Sequence, residues 1–335
     1  MAPFFMDKKQ MGNFAIAIHG GAGTIERHLM TPELEASYRT ALATAAKAGY
    51  DVLAKGGTAL DATVAAVSVM EDSPLFNAGK GSVLTHNEEV EMDALVMDGA
   101  TLEAGAVAAI KHIKNPVLLA RDVMSRSNHV MLFGEGAEQF AFRECGYDYT
   151  EQDYFFTDRR YDQLQAMKEL DGFALSEASY KKRDVYPDDH KHGTVGAVAL
   201  DSHGNLAAAT STGGLTNKKY GRVGDSPVIG AGTYARNGNV AVSGTGMGEV
   251  FLRCTVASEI AARMRYLGES VAEASERVVQ GELKSLGGEG GTIAVDAAGC
   301  MHFAMNCSGM YRAEVGADGQ CRVAIFADEA LTAEP

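Results

Sequence analysis

In each half of the chain, the hydrophobic pattern predicts strands, then two helices, then further strands. A short apolar strand at Phe14–Ile18 runs into His19–Gly23, where three glycines predict a tight turn close to other backbone. The other predicted strands are 83–85, 90–97, 102–110, 129–133, 195–200, 206–210, 239–243, 291–295, 301–305 and 323–326, and the helix pairs are 31–55 with 58–70 and 246–267 with 270–286. This order differs from the strict strand–helix alternation of a parallel sheet. It favours an α/β (α+β) fold, a four-layer αββα sandwich of two stacked antiparallel sheets.

A polar stretch separates the two halves. From Gly146 to Gly193 there is little apolar periodicity, so 146–193 is predicted to be a long, poorly packed linker, which is unusual inside a compact protein. Thr194–Leu200 then alternates small and branched apolar residues, as a buried strand does. The linker therefore ends directly at the Gly193–Thr194 bond, where glycine tolerates backbone angles that other residues resist.

We predict that this bond is cut, leaving residues 1–193 as one subunit and 194–335 as another, with both forming one folded domain. Thr194 would become an N-terminus, and its α-amino group, with a reference pKa of about 7.7–8.0, could take the proton from its own hydroxyl. These residues alone leave open a plainer alternative, in which Gly193 and Thr194 simply enter a strand after a surface loop.

Composition narrows the class of protein. The chain has 335 residues, 46% of them hydrophobic, which is enough for a sizeable core. Its net charge of −14, without a basic cluster, argues against nucleic acid and anionic membranes as partners. The five cysteines form no C-x-x-C pair, and no apolar run has the length of a signal peptide or membrane span. We therefore expect a cytoplasmic protein that binds no nucleic acid and no membrane.

Several catalytic motifs are absent from the sequence: the G-x-S-x-G elbow, the G-x-G-x-x-G and P-loop nucleotide motifs, and the H-E-x-x-H metal pair. What remains is a set of small polar, glycine-rich segments after 194. Within them, the Thr245 hydroxyl and the Gly246 N–H could hold an oxyanion, and Thr212 could hydrogen-bond the nucleophile. Arg222 offers a fork for a carboxylate and Asp225 a counter-charge for an ammonium group. Each segment also has a purely structural interpretation.

Together these segments resemble the plant-type (type 2) asparaginase and isoaspartyl peptidase family of threonine-type N-terminal nucleophile hydrolases. The resemblance covers the chain from His19 to about Arg312. The matching segments are HGGAG, PLFNAGKGSV, EMDALVMDG, HGTVGAVALD, TSTGG, GRVGDSPVIGAGTYA and SGTGMGE. One departure is Asn217–Tyr220, which reads NKKY where many members have another pair before Gly-Arg, so the pocket rim is expected to differ.

The resemblance implies self-cleavage before Thr194, with Thr194 as nucleophile and Thr212 beside it. Thr245 and Gly246 would form the oxyanion hole, and Asn77 would hydrogen-bond near the nucleophile. The implied reaction is hydrolysis of the side-chain amide of L-asparagine and of β-aspartyl dipeptides through an acyl-Thr194 intermediate, releasing L-aspartate. No cofactor is implied for the chemistry itself.

The resemblance also implies how the substrate is held and how the protein assembles. Arg222 would grip the substrate α-carboxylate, and Asp225 with Gly248 the α-amine. A structural sodium ion is implied, held by the backbone carbonyls of Met70, Glu71, Ser73, Phe76, Ala78 and Lys80. The implied assembly is a dimer of cleaved αβ heterodimers. The alternatives left open are a glycosylasparaginase-like or taspase-like hydrolase and an uncleaved, non-catalytic homologue.

Overall fold

The computed structural model describes residues 13–169 and 193–333. The linker prediction for residues 170–192 lies outside these ranges, as do the first twelve residues. The strands are β1 Ala15–Gly23, β2 Met92–Asp98, β3 Ala104–Ile110, β4 Met131–Phe133, β5 Val195–Leu200, β6 Leu206–Thr212, β7 Thr233–Ala235, β8 Val240–Gly246, β9 Gly290–Asp296, β10 Met301–Met305, β11 Gly309–Val315, β12 Cys321–Phe326 and β13 Thr332–Ala333. The α-helices are α1 Pro32–Ala54, α2 Ala59–Glu71, α3 Pro116–Arg126, α4 Gly134–Phe140, α5 Asp158–Glu169, α6 Gly248–Cys254, α7 Val256–Leu267 and α8 Val271–Glu276.

The strands form two sheets. Nine strands run in the order β13-β12-β11-β1-β5-β6-β2-β3-β4, and four in the order β10-β9-β8-β7. Neighbours are antiparallel except β3 and β4, which pair in parallel. The predicted purely antiparallel pairing is therefore wrong at this one edge, where the connection from β3 to β4 contains α3 and a crossover by a helix brings strands into the same direction.

Small side chains fill the space between the two sheets, among them Ala17, Val198, Ala208, Ala241 and Ile293. Helices α1 to α3 pack on the outer face of the large sheet, and α6 to α8 on the outer face of the small one. Four layers result, and the predicted αββα sandwich is confirmed. The central strands β1, β5 and β6 are buried on both faces, which explains their runs of alanine and valine without polar alternation.

The predicted starts of the first two helices are confirmed. Thr31 and Thr58 each accept a hydrogen bond from the backbone three residues on, from Leu34 and from Asp61. Such caps satisfy N–H groups that have no partner within the helix. Cap residues are therefore a reliable sequence signal here.

Two predicted helices are divided in the structure. The predicted helix 246–267 begins only at Gly248 and is broken at Thr255, whose φ is +46°. A residue in the left-handed region cannot continue a right-handed helix, so two helices result. The predicted helix 270–286 begins as α8 after Ser270 and continues from Arg277 to Leu283 as π-helix.

Other predictions for single elements are wrong. His19–Gly23 is not a tight turn but the second half of β1, with a bulge between His19 and Gly21, where φ is +117°. The predicted strand 83–85 is reduced to a bridge between Leu84 and Val90. Strands β7, β11 and β13 are not among the predicted elements. Strands β7 and β13 have only 3 and 2 residues, whereas β11 was missed although Tyr311–Val315 alternates apolar and polar residues.

The linker prediction is wrong for residues 158–169, which form α5. This helix buries Leu164 and Met167 together with two polar residues, Arg160 and Gln163, which are 4% and 5% exposed. Because half of its buried face is polar, no hydrophobic period marks it in the sequence.

Candidate active site

Thr194 lies at the entrance to β5, in the middle of the large sheet, and is 7% exposed. Its hydroxyl donates to Thr212 Oγ1 at 3.1 Å. Thr212 ends the neighbouring strand β6, so the pairing of β5 with β6 brings the two hydroxyls together. The predicted contact between these two threonines is present in the structure.

The carbonyl group of Gly193, on the other side of the same peptide bond, receives two hydrogen bonds. Asn77 Nδ2 donates to this oxygen at 2.8 Å and Thr212 Oγ1 at 3.0 Å. Asn77 is held in turn because its Nδ2 also donates to the Gly214 carbonyl and its Oδ1 accepts from the Val83 N–H. Two donors on one carbonyl oxygen stabilise the negative charge that a nucleophilic attack would place there.

The direction of each hydrogen bond at Thr212 follows from its partners. Its hydroxyl has one proton, which goes to the Gly193 carbonyl because that oxygen only accepts. The oxygen then accepts from the Thr194 hydroxyl and from the Gly214 N–H, at 3.1 and 3.0 Å. Two consecutive hydrogen bonds through Thr212 therefore link the Thr194 hydroxyl to the Gly193 carbonyl oxygen.

Close packing leaves no room for side chains around this bond. A Cβ on Gly193 would lie 2.8 Å from the Asn77 Cβ, and one on Gly21 would lie 3.2 Å from the Gly193 Cα. The predicted close approach of the 19–23 segment to other backbone is thus found, although the segment is a strand.

Thr194 opens into a pocket at the end of the sheets. Its lining residues are Gly193, Thr194, Thr212, Gly214, Leu215, Arg222, Gly224, Asp225, Ser226 and Gly246. The structure therefore brings the predicted nucleophile, carboxylate-binding and amine-binding residues into one cavity. Thr245 lies next to the pocket-lining Gly246 at the end of β8, buried, and its Oγ1 accepts from the Ala22 N–H at 3.1 Å.

The Arg222 guanidinium is held at one of its edges. Its Nε and Nη2 donate to the two carboxylate oxygens of Glu249, at 2.9 and 3.1 Å. Glu249 had no predicted role, because a glutamate in the first turn of a helix is common for reasons of helix stability alone. Its position fixes the plane of the Arg222 side chain in the pocket.

Asp225 lies beside Arg222 in the same pocket. A Cβ on Gly248 would lie 2.6 Å from Arg222 Nη2 and 2.9 Å from Asp225 Oδ1, so only glycine fits between them. Burial raises the pKa of Asp225 to about 7, and the positive charge of Arg222 opposes this shift in part. Its Oδ2 is buried and has no hydrogen-bond donor within the described part of the chain. An ammonium group would suit this carboxylate.

Residues 217–220, which depart from the family pattern, include both an exposed and a buried side chain. Tyr220 is 96% exposed. Lys218 turns inward, is 4% exposed, and donates from Nζ to the Glu91 carbonyl at 2.8 Å. Burial lowers the pKa of Lys218, against the opposing charge of Asp93. None of residues 217–220 is among the residues that line the pocket, although Lys218 lies close to the lining residue Gly214.

The loop predicted to hold a metal ion directs backbone oxygens toward its glycines. A Cβ on Gly79 would lie 2.2 Å from the Glu71 carbonyl oxygen, and one on Gly81 would lie 2.1 Å from that of Phe76. In residues 13–169 and 193–333, no group of three His, Cys, Asp or Glu side chains could hold a metal. Carbonyl oxygens are ligands of hard cations, so a sodium ion held by this loop stays a prediction.

The stacked sheets and the buried glycine–threonine junction are the arrangement of an N-terminal nucleophile hydrolase. Residues 12–325 match the family model described as asparaginase. The chain is 53% identical to the isoaspartyl peptidase of Escherichia coli strain K12, over 90% of this chain and 93% of that protein. It is 44% identical to the plant-type L-asparaginase of Pyrococcus horikoshii, over 88% and 94%, and 42% identical to the isoaspartyl peptidase/L-asparaginase of Xenopus laevis, over 94% and 96%. The chain belongs to the asparaginase family, and the predicted family is confirmed.

No helix in the described ranges has both the length and the apolar character needed to cross a membrane.

Proposed function

We propose that this chain cleaves its own Gly193–Thr194 bond and then hydrolyses the side-chain amide of L-asparagine and of β-aspartyl dipeptides, releasing L-aspartate. The observation that carries this proposal is that Thr194, Thr212, Arg222 and Asp225 line one pocket. A hydroxyl nucleophile therefore lies beside a cation and an anion that match the α-carboxylate and α-ammonium of an aspartyl group. The names of the relatives support the same reaction.

The first stage is cleavage of the chain. Thr194 Oγ1 attacks the Gly193 carbonyl carbon, and its proton is relayed through Thr212 Oγ1 to the Thr194 nitrogen, which leaves as a neutral amine when the C–N bond breaks. The negative oxygen is stabilised by Asn77 Nδ2 and the Thr212 hydroxyl, which already donate to it. The C–N bond then breaks, leaving Gly193 as an ester on Thr194 Oγ1 and a free α-amine. Water hydrolyses the ester to give the Gly193 carboxylate and the Thr194 hydroxyl.

The second stage is turnover of substrate. The α-amine of Thr194 takes the hydroxyl proton, and Oγ1 attacks the side-chain carbonyl carbon of the substrate. Thr245 and Gly246 stabilise the resulting oxyanion. The amine delivers the proton to the leaving ammonia or amino acid, and water hydrolyses the β-aspartyl ester of Thr194 to L-aspartate.

Substrate selection rests on the α-carbon substituents of the aspartyl group. The Arg222 edge not held by Glu249 takes the α-carboxylate, and Asp225, with the space left by Gly248, takes the α-ammonium group. Both groups must be free for both contacts to form. The enzyme is therefore expected to accept L-asparagine and β-aspartyl dipeptides and to reject substrates blocked at either group.

The same proposal includes the subunits and their surroundings. Residues 1–193 become one subunit and 194–335 the other, and two such pairs assemble as a dimer. We place the protein in the cytoplasm, and the cysteines support this, since all five lie in the described ranges and none forms a disulfide.

The carbonyl-lined loop from Met70 to Lys80 would hold a structural sodium ion. Such an ion would be coordinated by those backbone carbonyl oxygens and would help to order the loop. The loop includes Asn77, so its order bears on the donor that faces the Gly193 carbonyl. The chemical steps themselves need only the side chains and backbone named above.

Intact mass of the purified protein under denaturing conditions tests the first stage. Cleavage should give fragments of about 20 and 15 kDa, in proportion to their lengths in the 35.4 kDa chain. Thr194→Ala removes the nucleophile and should remain a single chain. Complete cleavage of that variant at the same bond would contradict the proposal, and an uncleaved wild-type chain would indicate a non-catalytic homologue.

A further inference from the structure

A buried histidine connects the nucleophile residue to the second sheet. His19, in β1, is fully buried, and its Nδ1 lies 2.9 Å from the Thr194 carbonyl oxygen. Its Nε2 lies 2.8 Å from Ser243 Oγ, in β8 of the small sheet. The side chain therefore spans the space between the two sheets beside the residue that carries the reactive hydroxyl.

The hydrogen-bonded chain continues beyond Ser243. Ser243 Oγ lies 2.7 Å from Thr210 Oγ1, and Thr210 Oγ1 lies 2.6 Å from Thr233 Oγ1. Thr233 Oγ1 also lies 3.1 Å from the Ser226 carbonyl, next to Asp225. The four side chains have no exposed surface. Buried polar groups of this kind persist when each has a partner.

Counting protons sets the direction of the bonds. The Thr194 and Ser226 carbonyls at the two ends only accept. Burial lowers the pKa of His19 to about 3, so the ring is neutral and has a single N–H. The ring and three hydroxyls thus supply four protons for five contacts. One of the five contacts therefore has no proton between its two atoms, and these two atoms repel each other. The repulsion is smallest at the longest contact, the 3.1 Å between Thr233 Oγ1 and the Ser226 carbonyl oxygen, so we assign the missing proton there.

This assignment places the His19 proton on Nδ1. Nδ1–H donates to the Thr194 carbonyl, Nε2 accepts from Ser243, Ser243 accepts from Thr210, and Thr210 accepts from Thr233. The opposite direction would set the bare Nδ1 lone pair against the Thr194 carbonyl oxygen at 2.9 Å.

The neighbouring strand leaves space for this contact. Gly196, two residues after Thr194, pairs with His19 across β1 and β5. A Cβ at Gly196 would lie 2.0 Å from Ser243 Oγ and 2.4 Å from His19 Nε2. Any larger residue would therefore displace the hydrogen bond between the histidine and the serine.

We propose that His19 is a positioning residue: its Nδ1–H holds the Thr194 carbonyl, and Ser243 fixes the tautomer that makes this possible. Holding the carbonyl fixes the Thr194–Val195 peptide plane, and with it the directions in which the hydroxyl and the α-amine of Thr194 leave the Cα. His19 itself does not contact the substrate. The inference rests on the proposed role of Thr194 as nucleophile.

The tautomer is tested first, by a measurement that does not depend on activity. Histidine-labelled protein, as purified, is studied by long-range ¹H–¹⁵N correlation NMR, and the His19 signals are assigned by their loss in His19→Asn. A neutral ring with the proton on Nδ1 between pH 6 and 8 is expected. A proton on Nε2 would overturn the proposal. In Ser243→Ala the ring is expected to lose its single tautomer, and an unchanged tautomer there would overturn the role of Ser243.

Kinetics on L-asparagine then test the positioning role. In Ser243→Ala we expect kcat to fall about 10- to 100-fold with KM within about threefold, as misplacement of a reactive group affects the rate more than binding. Ser285→Ala is the matched control, since Ser285 is exposed and its hydroxyl donates to the Glu282 carbonyl within its own helical turn. An unchanged kcat in Ser243→Ala would overturn the proposal.

Two substitutions of His19 separate positioning from a loss of fold. Asparagine can present an N–H near the position of Nδ1, whereas phenylalanine fills the space without a donor. His19→Asn should retain a kcat at least about tenfold above that of His19→Phe. Equal rates in the two variants would contradict the role of the donor. If wild-type protein hydrolyses neither L-asparagine nor a β-aspartyl dipeptide, the proposed function fails. The NMR measurement of the His19 tautomer would still test the proposed direction of the hydrogen bonds.

Discussion

Arg222 and Asp225 give the pocket opposite charges at positions three residues apart, with glycine between them at Gly224 and facing them at Gly248. Neither side chain is saturated by the protein: Glu249 holds one edge of the guanidinium, and Asp225 Oδ2 has no donor in the described ranges. Under the proposed function, the specificity of the enzyme would depend on these two unfilled positions.

Replacing Arg222 tests the carboxylate contact. Arg222→Ala should lower kcat/KM for L-asparagine and for β-aspartyl-leucine by about 30- to several-thousand-fold, since loss of a buried charge-assisted contact costs about 2–5 kcal/mol. Cleavage of the chain should persist, because that reaction involves no free substrate carboxylate. N-acetyl-asparagine keeps the α-carboxylate but lacks the α-ammonium group, so with wild-type enzyme it tests the contact assigned to Asp225. Turnover of it at a rate near that of L-asparagine would contradict this assignment of the pocket.

The pKa of Asp225 predicts a pH dependence of substrate capture. Burial raises this pKa to about 7, so the carboxylate is increasingly protonated below that pH and no longer attracts an ammonium group. We expect kcat/KM for L-asparagine to fall as the pH drops through about 7, since kcat/KM reports groups of the free enzyme. In kcat the same titration should move to lower pH, because bound ammonium favours the charged carboxylate.

The α-amine of Thr194, with a reference pKa of about 7.7–8.0, titrates nearby and affects both profiles. The shift between the kcat/KM and kcat profiles therefore identifies Asp225. Identical profiles would show that the amine alone governs the pH dependence.

Sequence alone indicated the residue types at the site but not all of their partners. Thr194, Thr212, Arg222 and Asp225 stand in glycine-rich segments whose chemistry is legible, and the structure brings them into one pocket. Glu249 and His19 have no role in the sequence-based prediction, because a glutamate at a helix start is common and His19 is interpreted there only as part of a glycine-rich turn. Only the fold shows that one faces Arg222 and the other Thr194.

Helix α5 supports the loop that carries Asn77. Arg160 Nε donates to the Gly81 carbonyl at 2.8 Å, and Nη1 donates to Gln163 Oε1 at 2.9 Å, on the same helix. Burial lowers the pKa of Arg160 to about 10, so it remains charged at neutral pH. A buried cation on a backbone carbonyl thus attaches this helix to the loop around residues 74–81.

Arg160→Met should therefore loosen the loop and slow cleavage of the chain. Losing hydrogen bonds from a charged donor to buried acceptors should lower the free energy of unfolding by about 2 kcal/mol. Thermal melting and the rate of appearance of the two fragments measure the two effects.

Lys168→Met on the same helix is the control for Arg160→Met. Its ion pair with Glu88 lies on the surface, so it should change stability by less than about 1 kcal/mol. Normal cleavage in Arg160→Met, with a melting temperature like that of Lys168→Met, would show that the loop does not depend on this contact.

The elements that are predicted correctly carry local sequence signals. Helix α5 and the second half of β1, which are mispredicted, carry no such signal. Helices α1 and α2 begin at threonine caps, and β5 and β6 flank a short turn at Asp201–Gly204. In contrast, α5 buries an arginine and a glutamine, and β1 continues to Gly23 because β11 pairs with Gly21, Ala22 and Gly23. Partners distant in sequence decided both cases.

For the whole molecule, the position of the predicted cut determines what cleavage can do. Strands from the two sides of Gly193–Thr194 alternate across the large sheet: β11 to β13 come from the second fragment, β1 from the first, β5 and β6 from the second, and β2 to β4 from the first. Three strand pairings therefore join the fragments, β11 with β1, β1 with β5 and β6 with β2. Cleavage removes one covalent bond and leaves this sheet intact.

We expect the two fragments to stay together in native buffer and to separate only when the sheet unfolds. Separating them would expose the hydrogen-bonding edges of central strands and the apolar surface that these strands bury. Native size-exclusion chromatography of the cleaved protein should match that of uncleaved Thr194→Ala, while a denaturing gel separates only the former into two bands.

After unfolding in denaturant and dilution, recovery of the cleaved protein should rise with concentration, because two chains must meet. Recovery of Thr194→Ala, whose strands are joined by one chain, should depend less on concentration over the same range. Separate elution of the fragments in native buffer would contradict the interleaved arrangement of the strands.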